Sequence, residues 1–388
     1  MEHYIFYCKL SLLAVLSLIT ACCMLSRRWY VNLAAFLACL SGETFLAHLF
    51  FPGYMLCPAA ASFIILFLSR IWDLSRTPAK GNGADPIRLP VRSGIRESRL
   101  EFYYHYSNFL VYGGAGSGKT KSIGKWLLSE YMRLGFAGFI YDFKDTDYTR
   151  TAYNLIKRHR YPHKFYYVSF DRPERSYRFN PLKVVRDRTE LIQLMEDVLL
   201  ALLPKKEQQN EWVAGGLGIL RGVAFRFWDE FPEHCTLPHI LAFIMTASAR
   251  QLSLFLQQNL VSEMLAGAYL KAEGSEKTQA SYLSTLCNNL ATISQNEEIA
   301  YVLSGDDFDF NLIDPENPKL FAVSNNFSKN SVYAPVISML MTISARQFSM
   351  QNRVPFVYFL DEMTTVNIKN FETLPSVLRE YKAAFILL

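Results

Sequence analysis

Eight consecutive residues constrain this chain more than any other feature. Gly113-Gly114-Ala115-Gly116-Ser117-Gly118-Lys119-Thr120 has the spacing G-x-x-x-x-G-K-[ST]. Such a loop can wrap its backbone around a phosphate, because glycines adopt the turns and the amide N–H groups point inward. At this spacing Lys119 reaches the outer phosphates and the Thr120 hydroxyl ligates Mg2+. The flanks agree. Asn108 to Tyr112 is an apolar strand signal, and Lys121 to Leu134 has helical apolar spacing. A helix N-terminus placed there adds its dipole to anion binding. All eight residues are therefore candidate nucleotide ligands, with ATP and Mg2+ as the expected cofactors.

A second strand signal, Ala137 to Tyr141, ends in Asp142-Phe143-Lys144-Asp145 and gives a β-α-β start for a parallel sheet. Polar residues at that strand end either face a ligand crevice or cap the next helix. Far downstream, Pro355-Phe356-Val357-Tyr358-Phe359-Leu360 is a buried-strand pattern that runs into Asp361-Glu362. Asp361 is expected to hold Mg2+ through water, and Glu362 to orient and deprotonate an attacking water. A Glu beside the Asp favours hydrolysis over binding alone. More chain separates the two motifs than a minimal phosphate-binding core needs. Residues 187–303 are rich in Leu, Ala, Gln and Glu at helical spacing and read as an all-helical insertion. Leu320 to Ser324 then resumes the sheet, and Ser331 to Met350 returns as a helix.

The N-terminal part has a different character. The charged residues of positions 1–70 are Glu2, Lys9, Arg27, Arg28, Glu43 and Arg70. A spanning helix needs about 20 mainly apolar residues, and three spans are expected at roughly 6–25, 29–50 and 53–69. Arg27 and Arg28 on one side, with Arg70, Arg76 and Lys80 after the third span, place the N-terminus outside and the C-terminal bulk in the cytoplasm. A two-span hairpin competes with this reading. So does lipoprotein cleavage before Cys22, which would put the bulk outside. Glu43 lies within a span; it is either functional or hydrogen-bonded to His48 or a neighbouring Ser. Residues 1–74 are thus read as the anchor and 75–101, with Pro78, Pro86, Pro90 and several glycines, as a basic linker. Residues 102–186 and 304–388 are read as the nucleotide-binding domain.

Over the whole chain, 40 basic against 35 acidic residues permit contact with nucleic acid or anionic lipid without demanding it. The 51% hydrophobic content excludes a disordered chain. No C-x-x-C pair exists among the seven cysteines, which argues against a zinc or redox centre. Lys157-Arg158-His159-Arg160 is read as either a phosphate contact or a solvated helix C-terminus. Asp306, Asp307 and Asp309 lack the glycine and terminal glutamate of a calcium loop.

In order along the chain, these pieces resemble the type IV secretion coupling proteins, the ATPases of conjugative DNA transfer. The strings Tyr141-Asp142-Phe143-Lys144, Arg178-Phe179-Asn180-Pro181-Leu182, Asp307-Phe308-Asp309-Phe310 and Arg379-Glu380-Tyr381 add to the resemblance. It implies an α/β fold: a RecA-like P-loop NTPase with a parallel sheet, an all-α insertion domain and N-terminal transmembrane helices. It also implies a homo-hexamer at the inner membrane, with its ATPase domain in the cytoplasm. Such a hexamer would move relaxase-bound, single-stranded DNA, delivered by relaxosome proteins, to a type IV secretion channel. Arg379 becomes a candidate arginine finger toward a neighbour's γ-phosphate. The same motor could export effector proteins, or the chain could be a truncated, non-catalytic nucleotide-binding subunit. A cell-division DNA translocase fits less well, because such proteins lack an insertion of this size. Two departures stand out. The family usually has two spans. It also continues past the strand at which this chain stops, Phe385-Ile386-Leu387-Leu388, which reads as a fragment.

Overall fold

The computed structural model describes residues 2–23, 29–51, 60–62, 64, 85–93, 96–114, 116–143, 146–203, 206, 208–368 and 370–388. The chain divides into two compact units, residues 1–84 and 85–388.

In the first unit, α1 (Glu2–Cys23) and α2 (Trp29–Phe50) cover the first two expected spans. Most of the third span, and Arg27 and Arg28, lie outside the described residues. Among the described residues no helix is long and apolar enough to cross a membrane, so the three-span anchor gains no support from the helices themselves. Its described interior mixes apolar Leu13 and Ala47 with polar Ser17, Glu43 and Ser62. Glu43 is 1% exposed and accepts hydrogen bonds from Ser17 and, at 3.0 and 3.1 Å, from Ser62. Its partners are thus serines from other parts of the chain rather than His48. Ile5, Phe6, Leu12, Phe45 and Leu49 face outward.

In the second unit, residues 87–101, read as linker from their Pro, Gly and charge content, instead form, with Phe102, an antiparallel hairpin of β1 (Ile87–Ser93) and β2 (Arg96–Phe102). Ile87 and Leu89 alternate with charged residues, and this face packs on the core. Pro90 is compatible because the two-stranded ribbon leaves edges where a missing N–H costs nothing.

The main sheet contains β3 (Phe109–Leu110), β4 (Ala137–Asp142), β5 (Lys164–Ser169), β6 (Lys319–Ser324), β7 (Phe356–Leu360) and β8 (Ala383–Leu387). Its order is β3-β8-β7-β4-β6-β5, and every neighbouring pair is parallel. Strand β5 has no counterpart among the sequence expectations: it is an edge strand that begins in the basic run at Lys164, and only Val168 and Ser169 in it are buried. Alternate residues of β4 and β7 serve opposite faces. Ile140, Val357 and Phe359 pack with α3 (Lys125–Arg133), α4 (Asp147–His159) and the hairpin. Phe139, Tyr141, Phe356 and Tyr358 pack toward the other face. That face is covered by α5 (Arg188–Leu202) and by helices that follow one another up to Leu303, then by α13 (Asn330–Arg346). The helices between α5 and α13 are α6 (Glu211–Glu230), α7 (Leu237–Thr246), α8 (Ala249–Gln257), α9 (Leu260–Leu265), α10 (Gly267–Lys271), α11 (Glu276–Ser294) and α12 (Glu297–Leu303). One hydrophobic cluster runs from the sheet into Leu220, Ile240 and Leu286, so these helices share the sheet's core.

Candidate active site

Parallel strands with helices on both faces put their C-terminal ends, and the loops leaving them, on one edge. Strand β3 leads into the glycine loop there, and β7 leads into Asp361-Glu362. Between them lies β8, which hydrogen-bonds to both.

The loop closes tightly on itself. Gly116 and Gly118 have φ of +74° and +84°, a region L side chains rarely adopt. A Cβ on Gly113 would lie 2.5 Å from Ser117 Oγ and 3.1 Å from Lys119 Cγ, so the lysine stem passes under the first glycine. Ser117 N donates to Gly114 O at 3.2 Å, and Ser122 N to Gly118 O at 2.8 Å. Ala115 lies outside the described residues. The helix after the loop starts with a wide turn, Lys119–Gly124, and becomes α-helical at Lys125.

Tyr148 underlies this turn. It is fully buried, its ring sits 4.6 Å from that of Phe359 on β7, and its hydroxyl faces Thr120. A Cβ on Gly124 would lie 2.4 Å from that hydroxyl. Burial, aided by the negative charges of Asp361, Asp147 and Asp142, keeps the phenol protonated far above its ordinary value. Tyr148 thereby packs the turn that follows the loop against the strand that carries Asp361. No spacing in the sequence signals it.

Asp142 caps α4 rather than facing a ligand. Its Oδ2 accepts from Thr149 N at 2.8 Å and from Thr149 Oγ1 at 2.9 Å. Burial pushes its carboxyl above the ordinary value, against the pull of these two bonds. Lys144 and Asp145 lie outside the described residues.

Asp361 is 2% exposed, and its N donates to Tyr141 O at 3.0 Å. Glu362 has a left-handed backbone, φ 48° and ψ 54°, and is half-buried. No cluster of three or more His, Cys, Asp or Glu side chains suited to a metal exists among the described residues. Mg2+ held by a nucleotide needs none, because waters and phosphate oxygens fill most of its octahedron. A hydroxyl such as that of Thr120 and a carboxylate such as that of Asp361 are hard oxygen donors of the kind this requires. Arg379 stands apart. It is exposed on the short helix α14 (Leu374–Glu380), and among the described residues its guanidinium makes no hydrogen bond or ion pair. Lys157 and Arg158 occupy the exposed last turn of α4, where they complement its dipole.

A family model described as the type IV secretion-system coupling protein DNA-binding domain matches residues 100–388. The chain belongs to the type IV secretion coupling proteins. Solved structures of the coupling protein TrwB share the fold at low identity. An unbound form of that bacterial conjugative protein gives a TM-score of 0.56 at 15% identity over 82% of this chain and 69% of that one. The plasmid protein in complex with ADP and Mg2+ gives 0.57 at 15% identity over 82% and 70%. Its complex with the non-hydrolysable analogue ADPNP gives 0.58 at 16% identity over the same shares. No curated protein matches this chain in sequence. The family match thus covers the sheet, its active edge and the helices between β5 and β6, and leaves the first 99 residues outside it.

Proposed function

We propose that this chain is the ATP-hydrolysing coupling subunit of conjugative DNA transfer. The observation that carries this is the active edge: a closed phosphate-type loop on β3 and an acidic pair on β7, one strand apart, within a chain of the coupling-protein family. Structures with this fold bind ADP with Mg2+ and ADPNP. The backbone amides of residues 113–120 would hold the phosphates, with Lys119 at the outer ones. Thr120 and, through water, Asp361 would hold Mg2+, which when bound neutralises charge on the phosphate oxygens. Glu362 would accept the proton of the attacking water.

The larger assembly belongs to the same proposal. In a homo-hexamer Arg379, which is exposed and has no partner within its own chain among the described residues, would reach a neighbour's γ-phosphate. The cargo is relaxase-bound single-stranded DNA, handed over by relaxosome proteins and driven to the secretion channel. Residues 1–74 attach the chain to the inner membrane, with the nucleotide site in the cytoplasm. The exposed apolar side chains of Ile5, Phe6, Leu12, Phe45 and Leu49, with Glu43 buried, support this.

The test is a pair of substitutions. Lys119→Ala should abolish ATP-dependent transfer while the protein folds normally, since the lysine serves phosphate and not the core. Glu362→Gln should bind ATP but turn it over slowly, because the metal ligand stays and the base is lost. Transfer unchanged by Lys119→Ala, or turnover unchanged by Glu362→Gln, refutes the proposal.

A further inference from the structure

Glu362 is held by a hydrogen-bonded chain that runs in one direction. Thr365 Oγ1 donates to Glu362 O at 2.7 Å. With its proton so used, that hydroxyl must accept from Tyr141 Oη, 2.6 Å away. Tyr141 Oη in turn accepts from Asn325 Nδ2 at 2.9 Å. Burial raises the Tyr141 hydroxyl above its ordinary value, so it remains a donor at neutral pH.

The chain closes on itself. Asn325 Nδ2 also donates to Asn330 Oδ1 at 2.7 Å, and Asn330 Nδ2 donates to Thr365 O at 3.3 Å. Thr365 N adds a backbone bond to Glu362 O at 2.9 Å. Three segments far apart in sequence meet here: the end of β4, the turn from β6 into α13 and the turn after Asp361. Bonds polarised in series strengthen one another in a buried site. The Tyr141 branch and the Thr365 amide end on the carbonyl of Glu362, a non-glycine residue with φ of 48°, and the Asn330 branch ends on the Thr365 carbonyl. Such a backbone is sparsely populated for a residue with a side chain and persists only where its surroundings impose it.

We propose that Thr365 and Tyr141 are positioning residues for Glu362, and that Asn325 and Asn330 tie its position to the turn between β6 and α13. That turn presents Phe327, 83% exposed, on the same sheet edge. A displacement of the turn would be passed through Asn325 and Asn330 to Thr365 and then to the Glu362 backbone. The proposal rests on the hydrolytic role given to Glu362 above.

The experiment compares the purified full chain with Thr365→Val, Thr365→Ser and Tyr141→Phe. Three quantities are read: binding of Mg·ADP, its tightening by aluminium fluoride, and kcat for ATP. Val removes the hydroxyl at nearly constant volume. Misplacing a reacting group by about an ångström costs on the order of 10²-fold, so Thr365→Val should lower kcat and the fluoride-induced tightening by about that factor. Its Mg·ADP affinity should be unchanged. Tyr141→Phe should show the same split, and Thr365→Ser, which keeps the hydroxyl, should behave as the native chain. The inference is overturned if Thr365→Val equals the native chain in tightening and turnover, whether both are present or both absent. It is also overturned if Mg·ADP binding falls as far as tightening does, since the role is then general support. A native chain that binds no Mg·ADP would instead refute the nucleotide reading, and this inference with it.

Discussion

Replacing Gly124 by Ala sets two opposing effects against each other. Gly124 has φ −57° and ψ −53°, ordinary helical values. In an exposed helix the substitution would stabilise by about 1 kcal/mol through helix propensity. Here the new Cβ would lie 2.4 Å from Tyr148 Oη and 3.1 Å from Cζ and Cε1. The ring cannot retreat, because it is fully buried and pinned against Phe359. Overpacking of this kind costs about 1–3 kcal/mol, and a contact this close to an immobile ring lies toward the upper end, so overpacking wins and the net loss should approach about 2 kcal/mol. Thermal unfolding of the purified chain should show Tm lowered by about 2–4 °C for each kcal/mol lost. The decisive sample is the double variant with Tyr148→Phe. Removing the hydroxyl relieves the closest contact but leaves the ring, so the pair should be less destabilised than the sum of the singles by about 1 kcal/mol. A Gly124→Ala chain more stable than the native one, or strictly additive singles, would show that Tyr148 does not fill the space under the loop.

The other predictions concern charge and topology. Burial raises the Asp142 carboxyl above its ordinary value, so the folded state holds that proton more tightly than the unfolded state. Stability therefore falls as pH rises from the ordinary carboxylate value, about 4, through the raised one. Asp142→Asn keeps an oxygen for the two Thr149 donors and removes the buried charge. It should be at least as stable as the native chain at neutral pH, with the advantage disappearing on acidification; denaturant melts at several pH values that show an unchanged slope would contradict this. For topology, a reporter active only outside the cytoplasm should be active when fused after Met55 and silent after Lys80. Fused after Cys8 it separates three spans, where it is active, from a two-span hairpin, where it is silent. Activity after Lys80 would place the nucleotide site on the wrong side for ATP.

The two motifs were legible because each is local. A glycine loop makes its phosphate cradle from its own backbone amides, and its lysine and threonine follow at fixed spacing. An apolar strand followed by Asp-Glu is likewise contiguous. Composition misled at residues 87–102, where Pro90 and the alternating arginines hid a half-buried hairpin face behind a linker signature. Asp142 stood equally for crevice or cap in the sequence. The hydrogen bonds from Thr149 decide for the cap, because helix α4 begins close enough for its amides to claim the carboxylate.

What the sequence alone determined was therefore two contiguous patterns: a glycine-rich loop between a strand and a helix, and an apolar strand that ends in Asp361-Glu362. Only the tertiary structure decided how these groups are held. Strand β8 is formed by residues 383–387 yet lies between β3 and β7, so the spacing of loop and acid depends on a pairing that no local pattern encodes. Tyr148 packs the turn after the loop against β7, and Asn325, Tyr141 and Thr365 hold the Glu362 carbonyl, across sequence separations of 184 and 224 residues for the Asn325–Tyr141 and Tyr141–Thr365 bonds. The physical reason is the same in each case. A short motif specifies a conformation through its own backbone and near neighbours, whereas the orientation of a buried side chain is set by whatever the folded chain packs against it.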